Sequence, residues 1–380
     1  MRGHLKERSP GRWAIILDIN DPQTGKRRRK WHSFKGTKKE AQIERSRLIT
    51  EMDAGAYVEH DKKSLNEFLD TWERDWMATN VSAKTAERYS DLLRNCVRPY
   101  LGNKRMQAIR AEDLNKLYTD LHQKLAKRTV RHVHRLLHRV FSHATKWGNI
   151  KRNVVALVDA PKVPTSEAAV LQTAEIPQMF AALRDRMFFP LAVVALGTGM
   201  RRGELLALRW SDVDLDAARI QVERSLEQTQ KHGLRIKAPK SARGRRSISL
   251  SPAVVSELRA HWKTQQEQRL ALGLGKSPAD ALVFAKYDGA PLVPNQFTHI
   301  FARALKAAGL PHVTLHTLRH THASQLIASG MDILTISRRL GHSSPTITLS
   351  VYGHLLTSED RAADIMQGIF ADAGIGQYNA

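Results

Sequence analysis

Cysteine is almost absent from this sequence, and long apolar runs are missing altogether. The single cysteine, Cys96, cannot form an internal disulfide framework and cannot supply the paired ligands of a cysteine-built zinc site. No apolar run approaches the roughly 20 residues that a membrane-spanning helix needs. The N-terminal residues MRGHLKERSPGR lack the apolar stretch of a signal peptide. We therefore expect a soluble protein of the cytoplasm.

Acidic residues are scarce relative to basic ones. The chain has 60 Lys and Arg against 37 Asp and Glu, a formal net charge of +23, and 17 histidines. Such a surplus repels itself unless a polyanion is nearby, and the release of counterions from phosphates makes nucleic acid the leading partner. A membrane surface is the alternative, but no helix shows a strongly basic face opposite a Trp/Phe/Leu face.

Residues 1–58 predict a small α+β module. Arg12–Asn20 is typical of a strand, and further short strands are expected within residues 1–36. Thr37 and Glu40 have capping-box spacing, so a helix is expected to start there and run towards Gly55. A basic run between the strands favours DNA contact, although a solvated hairpin is the simpler alternative. The residues of that run are Lys26, Arg27, Arg28, Arg29 and Lys30.

Residues 61–148 predict an all-α domain. After a capping box at Ser64, apolar residues recur at helical spacing, and we assign the tryptophans among them to a core rather than to base stacking. His134 and His138 stand four apart, as metal ligands can, but no acidic or cysteine ligand is near. The last predicted helix, Thr129–Trp147, also has a basic face that we expect to lie on DNA. The arginines of that face are Arg131, Arg135 and Arg139.

The second half of the chain predicts a different architecture. Two prolines and few apolar residues within 159–166 indicate that residues 149–172 form a linker. Residues 173–356 predict a mixed α/β domain, mainly helical with a small antiparallel sheet. The expected strands are Arg219–Leu226, Gly233–Ala238 and Arg245–Leu250, and the expected helices lie at about 252–270, 295–308, 314–329, 332–340 and 345–353.

This domain also contains polar residues that helix and strand propensity does not explain. Arg201 follows an apolar helix at a chain reversal, where backbone amides and a guanidinium can face one anion. Cations, histidines and a tyrosine without a carboxylate cluster predict an anion site rather than a divalent-metal site. Such a site suits phosphoryl transfer, in which negative charge spreads over non-bridging oxygens. The candidate residues are Arg201, Lys240, His316, Arg319, His342 and Tyr352. In the basic stretch after Lys240, we expect Arg243 and Arg245 to contact DNA.

Four segments of this domain resemble the tyrosine recombinases of the phage integrase family. They are TGMRRGELLALRW, PKSARGRRSISL, LHTLRHTHASQLI and RRLGHSSPTITLSVYGH. The resemblance implies a catalytic domain of the DNA breaking-rejoining type. Upstream, the chain resembles the helical core-site-binding domain and, less closely, the three-stranded arm-site-binding domain of phage and conjugative-element integrases. Two positions depart from the pattern: Thr317 stands where many relatives carry Asp, and Ser241 where many carry Thr.

The resemblance implies a covalent mechanism centred on a tyrosine. Tyr352 would attack the scissile phosphate and form a 3′-phosphotyrosyl link, while Arg201 and Arg319 clamp the non-bridging oxygens and His342 donates to them. A free tyrosine has a pKa of about 10 and is a poor nucleophile at neutral pH. Surrounding cations favour its phenolate form and neutralise the phosphate that it approaches.

The remaining implied roles concern proton transfer and orientation. Lys240 would protonate the departing 5′ oxygen, His316 would accept a proton or support the tyrosine, and Glu204 would orient the first arginine. A covalent intermediate retains the bond energy of the phosphodiester. We therefore expect no metal, no ATP and no cofactor.

The resemblance further implies that the partner is double-stranded DNA with core-type and arm-type sites. Residues 357–380 carry one cation, four acidic residues and an apolar helical face. This tail either closes the protein's own core or docks on a neighbouring protomer of a homotetramer, and we favour the second. An accessory DNA-bending protein and a directionality factor are compatible with an arm-binding domain.

The predicted function is integration or excision of a phage or mobile element in a bacterial host, by a site-specific recombinase. A type IB topoisomerase-like enzyme is the closest alternative, although relaxation of DNA needs little sequence recognition. A DNA-binding regulator with a dead catalytic domain is the non-enzyme alternative. It would have lost Tyr352, Arg201 or Arg319, and none is missing.

Overall fold

A computed structural model describes residues 2–20, 27–53, 57, 62–164, 169–239, 242–353, 366–367, 369–370 and 372–373. The chain divides into two compact units, Met1–Pro164 and Thr165–Ala380. Helices predominate, with small antiparallel sheets, so the predicted fold class is confirmed. Within the described ranges, no helix is long and apolar enough to cross a membrane.

The first unit opens with a three-stranded antiparallel sheet in the order β1-β2-β3. Apolar residues of its inner face pack on the helix that follows, with Ile15 and Leu17 fully buried. That helix begins at the predicted capping box, because the Glu40 carboxylate accepts from the Thr37 backbone N–H at 2.7 Å. The elements are β1 (Arg2–Ser9), β2 (Arg12–Asn20), β3 (Arg27–Lys35) and α1 (Lys38–Asp53).

The sequence analysis placed the basic run between strands, and this prediction is wrong. Its members Arg27–Lys30 form the start of β3, an edge strand paired only with β2. Side chains alternate along a strand, so Arg29 and Lys30 lie on opposite faces of the sheet. Arg29 is exposed and lies 3.4 Å from Asp18, while the Lys30 amine lies over the ring of Tyr57. An edge strand accepts such charge because one of its faces is open to solvent. Lys26 lies outside the described residues.

A helical domain completes the first unit. The predicted capping box at Ser64 is present, and Trp72 is fully buried, as expected of a core residue. Val155 and Val158, inside the predicted linker, also pack in this core. Two π-helical turns, Glu73–Met77 and Leu93–Val97, continue two of the helices. The helices are α2 (Leu65–Trp72), α3 (Ala78–Asn80), α4 (Ala83–Leu92), α5 (Arg98–Leu101), α6 (Ala111–His122) and α7 (Lys127–Lys146).

His134, which the sequence analysis considered as a metal ligand, belongs to the core face of α7. Its side chain is buried, with Nδ1 3.1 Å from the hydroxyl of Tyr118, and burial lowers its pKa. A histidine whose ring nitrogen is hydrogen-bonded can lie within an apolar stripe. The three arginines of the predicted basic face, Arg131, Arg135 and Arg139, are exposed.

The second unit surrounds a large apolar core in which α9 packs against α13. Its strands form a three-stranded sheet, β4-β5-β8, and a two-stranded sheet, β6-β7. The helices are α8 (Glu175–Leu183), α9 (Phe189–Thr198), α10 (Arg202–Leu205), α11 (Pro252–Ala271), α12 (Pro294–Ala307), α13 (Leu315–Ala328), α14 (Ile333–Leu340) and α15 (Pro345–Tyr352). The strands are β4 (Val213–Asp214), β5 (Arg219–Val222), β6 (Ser225–Thr229), β7 (Gly233–Lys237) and β8 (Arg246–Ser249).

The predicted strand Arg219–Leu226 is wrong in one respect, because two strands of different sheets occupy it. The chain leaves the first sheet at Arg224, whose guanidinium donates to both carboxylate oxygens of Asp212, at 2.7 and 2.9 Å. Val222 and Leu226 are buried and Arg224 between them is partly buried, so every second side chain still faces inwards. The hydrophobic pattern therefore continues through a break in the strand.

Candidate active site

Two helix ends provide the framework of the site. Helices α9 and α14 stop at Gly199 and Gly341, which adopt left-handed φ angles of 65° and 66°. Glycine takes this conformation without strain, and the sequence analysis placed a helix stop at Gly341. The turns direct the chain into Arg201 and His342 respectively.

Two predicted arginines bind these turns through separate nitrogens. Arg201 donates from Nη1 to Oε1 of Glu204 at 2.8 Å and from Nη2 to the carbonyl of Gly341 at 2.7 Å. Arg319, on α13, donates to the carbonyls of Gly199 and Leu340 at 2.7 and 2.8 Å. The arginines therefore connect segments far apart in sequence. Burial lowers the pKa of Arg319, and Arg201 acts in the same direction, but a guanidinium remains charged in proteins.

Glu204 supplies the negative charge between two of the site's guanidinium groups. Its side chain is 3% exposed, and its Oε2 accepts from Arg246 Nη2 at 2.9 Å and from the Arg201 backbone N–H at 2.9 Å. Burial acts to raise the pKa of Glu204, but Arg246 and Arg201 hold it below its ordinary value. Among the described residues, Glu204 thus pairs with Arg201 and Arg246, while Arg319 bonds only to backbone carbonyls, which leaves an excess of positive charge for an anion.

His342 follows the Gly341 turn and is buried as a neutral imidazole. Nδ1 lies 2.8 Å from the hydroxyl of Thr348, so Nε2 is the nitrogen left to face a ligand. Burial, with the charges of Arg319 and Arg201, lowers the pKa of His342 to about 4. A neutral ring with Nδ1 accepting from Thr348 carries its proton on Nε2 and can donate to an anion.

Tyr352 ends helix α15 and is only 2% exposed. Its hydroxyl lies 2.6 Å from Nδ1 of His320, on α13. Burial raises the pKa of Tyr352 to about 12, although Arg319 acts in the opposite direction. Tyr352 packs in an apolar cluster with Leu340, whose carbonyl accepts from Arg319, so Tyr352 and Arg319 lie in one region.

His316 occupies the edge of this cluster. It is exposed, and its ring meets that of His320 edge to face, with centroids 4.5 Å apart. His316 and Arg319 stand three apart on α13, a spacing that usually places two residues on one helix face, but Arg319 is buried and His316 is exposed. Among the described residues, His316 makes no hydrogen bond to Tyr352, whereas Nδ1 of His320 lies 2.6 Å from the Tyr352 hydroxyl.

The basic stretch before β8 is only partly described. Lys240 lies outside the described residues. Arg243 is exposed and donates to the carbonyl of Ser343 at 2.8 Å, and Arg245 is exposed beside Glu223 at 3.5 Å. The neighbour of Arg201 in sequence, Arg202, points away to the hydroxyl of Thr298 at 2.7 Å.

Sequence reasoning missed His320 and Arg246. His320 follows Arg319 directly, so its place in the motif was a signal, but its partner lies 32 positions away. Arg246 stood in a stretch interpreted as a DNA contact, whereas its side chain is 7% exposed and bound to Glu204.

The departure at Thr317 has a physical explanation. Thr317 is the third residue of α13, and its Oγ1 accepts from the Thr314 backbone N–H at 3.1 Å. An acidic side chain performs this task in an ordinary capping box. Thr317 therefore preserves the start of the helix that carries Arg319.

Guanidinium groups, a neutral histidine and a tyrosine, gathered by helices and small sheets, form the kind of site that phosphoryl transfer to a side-chain hydroxyl needs. A model of the phage integrase family matches residues 167–359, and a model of the phage integrase N-terminal SAM-like domain matches residues 64–122. The chain belongs to the phage integrase family. It is a site-specific DNA recombinase of the tyrosine type.

Relatives along nearly the whole chain carry corresponding names. A "Tyrosine recombinase XerC-like" protein of Caldanaerobacter subterraneus subsp. tengcongensis is 24% identical over 94% of this chain and 96% of its own length. An "Integrase" of Streptomyces ambofaciens is 29% identical over 94% of each chain. The "ICEBs1 integrase" of Bacillus subtilis is 29% identical over 62% of this chain and 64% of its own.

Solved structures support the fold. The Tn1549 transposon integrase in complex with transposon right end DNA has a TM-score of 0.68 at 22% identity, covering 81% of this chain and 99% of that one. A lambda integrase dimer bound to a COC′ core site has a TM-score of 0.58 at 20% identity, covering 94% and 95%. Identity this low supports the fold alone.

Proposed function

We propose that Tyr352 is the nucleophile of recombination and forms a 3′-phosphotyrosyl intermediate with DNA. The observation that carries the proposal is the arginine arrangement around the Gly341 turn, which directly precedes the helix that ends in Tyr352. The alternative tyrosine Tyr287 is 58% exposed and contributes nothing to this cluster.

The other groups then act on the phosphate. Arg201, whose side chain is 40% exposed, reaches the non-bridging oxygens from the open side, and Arg319 and His342 approach from within. Lys240 protonates the departing 5′ oxygen, and His316 lies at the mouth of the site. Rejoining reverses the exchange, because the phosphotyrosine retains the energy of the broken phosphodiester. Neither ATP nor a cofactor is required.

The test uses a nicked suicide substrate that carries the attachment site. We expect a covalent protein–DNA adduct that is protease-sensitive, forms in the presence of EDTA and disappears in Tyr352→Phe. Tyr287→Phe is the matched control and retains adduct formation. An adduct in Tyr352→Phe, or loss of the wild-type adduct in EDTA, contradicts the proposed mechanism.

We further propose that residues 61–148 bind the core-type site through the exposed face of α7. Arg139 donates to the hydroxyl of Tyr89 at 2.9 Å and lies over its ring, which fixes the guanidinium direction. Arg131 and Arg135 extend the same exposed face towards the start of the helix. Phosphate contacts of this kind give strong salt dependence, with about one counterion released per contact.

Residues 1–58 are proposed to bind the arm-type site through the outer face of the sheet. This face presents Trp31, 52% exposed, with the guanidinium of Arg8 5.4 Å from its ring centroid. Arg29 lies on the same face, although its pairing with Asp18 reduces its freedom. We expect Trp31→Ala to weaken arm-site binding, whereas Ile43→Ala, at a position on α1 that is 63% exposed, leaves it unchanged.

The acting species is proposed to be a homotetramer on DNA, within a bacterial cytoplasm, with tails of residues 357–380 exchanged between protomers. Met366, Ile369 and Phe370 leave apolar surface exposed in the described part of the tail. A lambda integrase tetramer bound to a Holliday junction shares the fold, with a TM-score of 0.56. Deletion of residues 358–380 is expected to weaken synapse formation, and unaltered cooperativity contradicts tail exchange. Accessory DNA-bending and directionality proteins are compatible with the proposed arm-binding surface.

A further inference from the structure

We infer that His320 accepts the phenolic proton of Tyr352 during strand cleavage and returns it during rejoining. This role rests on the proposed function, because it requires Tyr352 to be the nucleophile. His316 then supports the ring of His320 rather than accepting the proton itself.

The geometry defines the direction of transfer. The Tyr352 hydroxyl lies 2.6 Å from Nδ1 of His320, within hydrogen-bond distance. A neutral imidazole with its proton on Nε2 leaves Nδ1 as an acceptor, so the hydroxyl donates to it. The two lone pairs of the phenolic oxygen are then free for attack on phosphorus.

Several groups around His320 keep it neutral. Burial, the adjacent His316 and the charge of Arg319 together lower the pKa of His320 to about 4. His342 is a further titratable neighbour of His320, and its own pKa is lowered to about 4, so it adds no positive charge at neutral pH. At neutral pH the acceptor lone pair on Nδ1 is therefore available.

Proton transfer does not precede attack, since burial raises the pKa of Tyr352 to about 12. The phenol becomes strongly acidic only as its oxygen bonds to phosphorus, and the proton then moves to Nδ1. The P–O bond to the tyrosine forms, the P–O5′ bond breaks, and the departing oxygen takes a proton from the general acid. The incoming phosphate also offsets the arginine charges that disfavour protonation of His320.

The experiment measures single-turnover cleavage of the suicide substrate by full-length protein. We expect His320→Ala and His320→Asn to slow cleavage by about 10²-fold or more, the usual contribution of general acid–base catalysis. Asparagine places an acceptor near the position of Nδ1 but cannot take a proton. His299→Ala, which alters an exposed histidine of the same unit, cleaves at the wild-type rate.

A second measurement separates proton acceptance from a structural role. Replacement of Tyr352 by a fluorotyrosine, whose phenol is more acidic, should raise the cleavage rate of the His320→Ala variant at least tenfold. A substrate with a 5′-bridging sulfur, whose leaving group needs no acid, should not restore it. Thermal melting checks that both His320 variants fold. If His320→Ala does not fold, the comparison is made with His320→Asn.

The outcomes are distinct. If Tyr352→Phe still forms an adduct, the proposed function fails and the role of His320 fails with it. If Tyr352→Phe is inert but folded His320 variants cleave within twofold of wild type, the proposed function stands and this inference is overturned. Slow cleavage without rescue by fluorotyrosine also overturns it.

Discussion

Arg246 donates to Glu204 at 2.9 Å across 42 positions of sequence. Both side chains are almost fully buried, so the start of β8 is tied to the short helix α10. The second carboxylate oxygen of Glu204 accepts from Arg201. Arg246 therefore determines the orientation of Glu204, and through it the direction of the arginine proposed to hold the scissile phosphate.

Removal of Arg246 is expected to destabilise the second unit. In Arg246→Ala, Glu204 keeps only Arg201 as a charged partner, and loss of one member of a buried pair costs about 3–5 kcal/mol. The measurement is the free energy of unfolding in urea. Arg245→Ala is the control: its contact with Glu223 joins exposed groups, and its loss should cost less than about 1 kcal/mol. Equal losses in the two variants would contradict the prediction.

Substitution of Arg201 by lysine is expected to impair cleavage severely. The two nitrogens of Arg201 contact Glu204 and the Gly341 carbonyl simultaneously, and a single ammonium cannot reproduce that fork. By analogy with loss of an oxyanion donor, the rate should fall about 10²–10³-fold. Single-turnover kinetics on suicide DNA give the rate. Arg202→Lys, at a position whose side chain points to Thr298, should cleave nearly normally.

Acidification is expected to weaken the second unit before its carboxylates titrate. His322 has Nδ1 2.8 Å from the Leu196 carbonyl, while Nε2 accepts from Arg339 at 3.0 Å, so protonation of Nε2 would abolish the second hydrogen bond. Burial and Arg339 lower the pKa of His322 to about 4, against an unfolded value of about 6.5. The unfolded state binds the proton first, so stability falls as the pH drops below about 6.5.

The measurement is the Tm at pH 7.5 and pH 5. Each kcal/mol lost lowers the Tm by about 2–4 °C for a unit of this size. His322→Gln should show a shallower decline because one titrating group is gone, whereas His299→Gln should follow the wild type. An unchanged Tm between the two pH values would contradict the assignment of a buried neutral histidine.

Two glycines allow backbone strain to be separated from a close contact. Gly341 and Gly330 both have left-handed φ angles, 66° and 80°. A Cβ at Gly341 would lie 2.8 Å from Arg246 Nη1, whereas nothing lies within 4 Å at Gly330. Gly330→Ala should cost only the left-handed strain, about 1–2 kcal/mol. Gly341→Ala should cost more and also slow cleavage, as urea unfolding and suicide-substrate kinetics would show.

Much of the site could be predicted from sequence, because motif spacing identifies residues that act in one place. Arg201, Arg319, His342 and Tyr352 lie in three local segments, and the structure brings these segments together. His320 could not be assigned from spacing alone, since its contact with Tyr352 depends on how α13 and α15 pack. Local patterns do not report such tertiary contacts.

Most elements of the fold were also predictable, and the errors lie at polar residues whose partners are distant in sequence. Arg224 is partly buried against Asp212 at the point where one strand ends, and His134 bonds to Tyr118 within the helical core. Arg29 belongs to a strand whose outer face tolerates charge. In each case a partner distant in sequence lowers the free-energy cost of placing a polar side chain at that position.

The burial of Tyr352 has a consequence for the host chromosome. A phenol that is 2% accessible cannot meet the backbone of a duplex that the protein merely collides with. Attack by Tyr352, the proposed nucleophile, therefore requires its surroundings to open when the correct partner is captured. We expect encounters with random genomic sequence to leave the strands intact, so that cleavage is confined to the assembled complex.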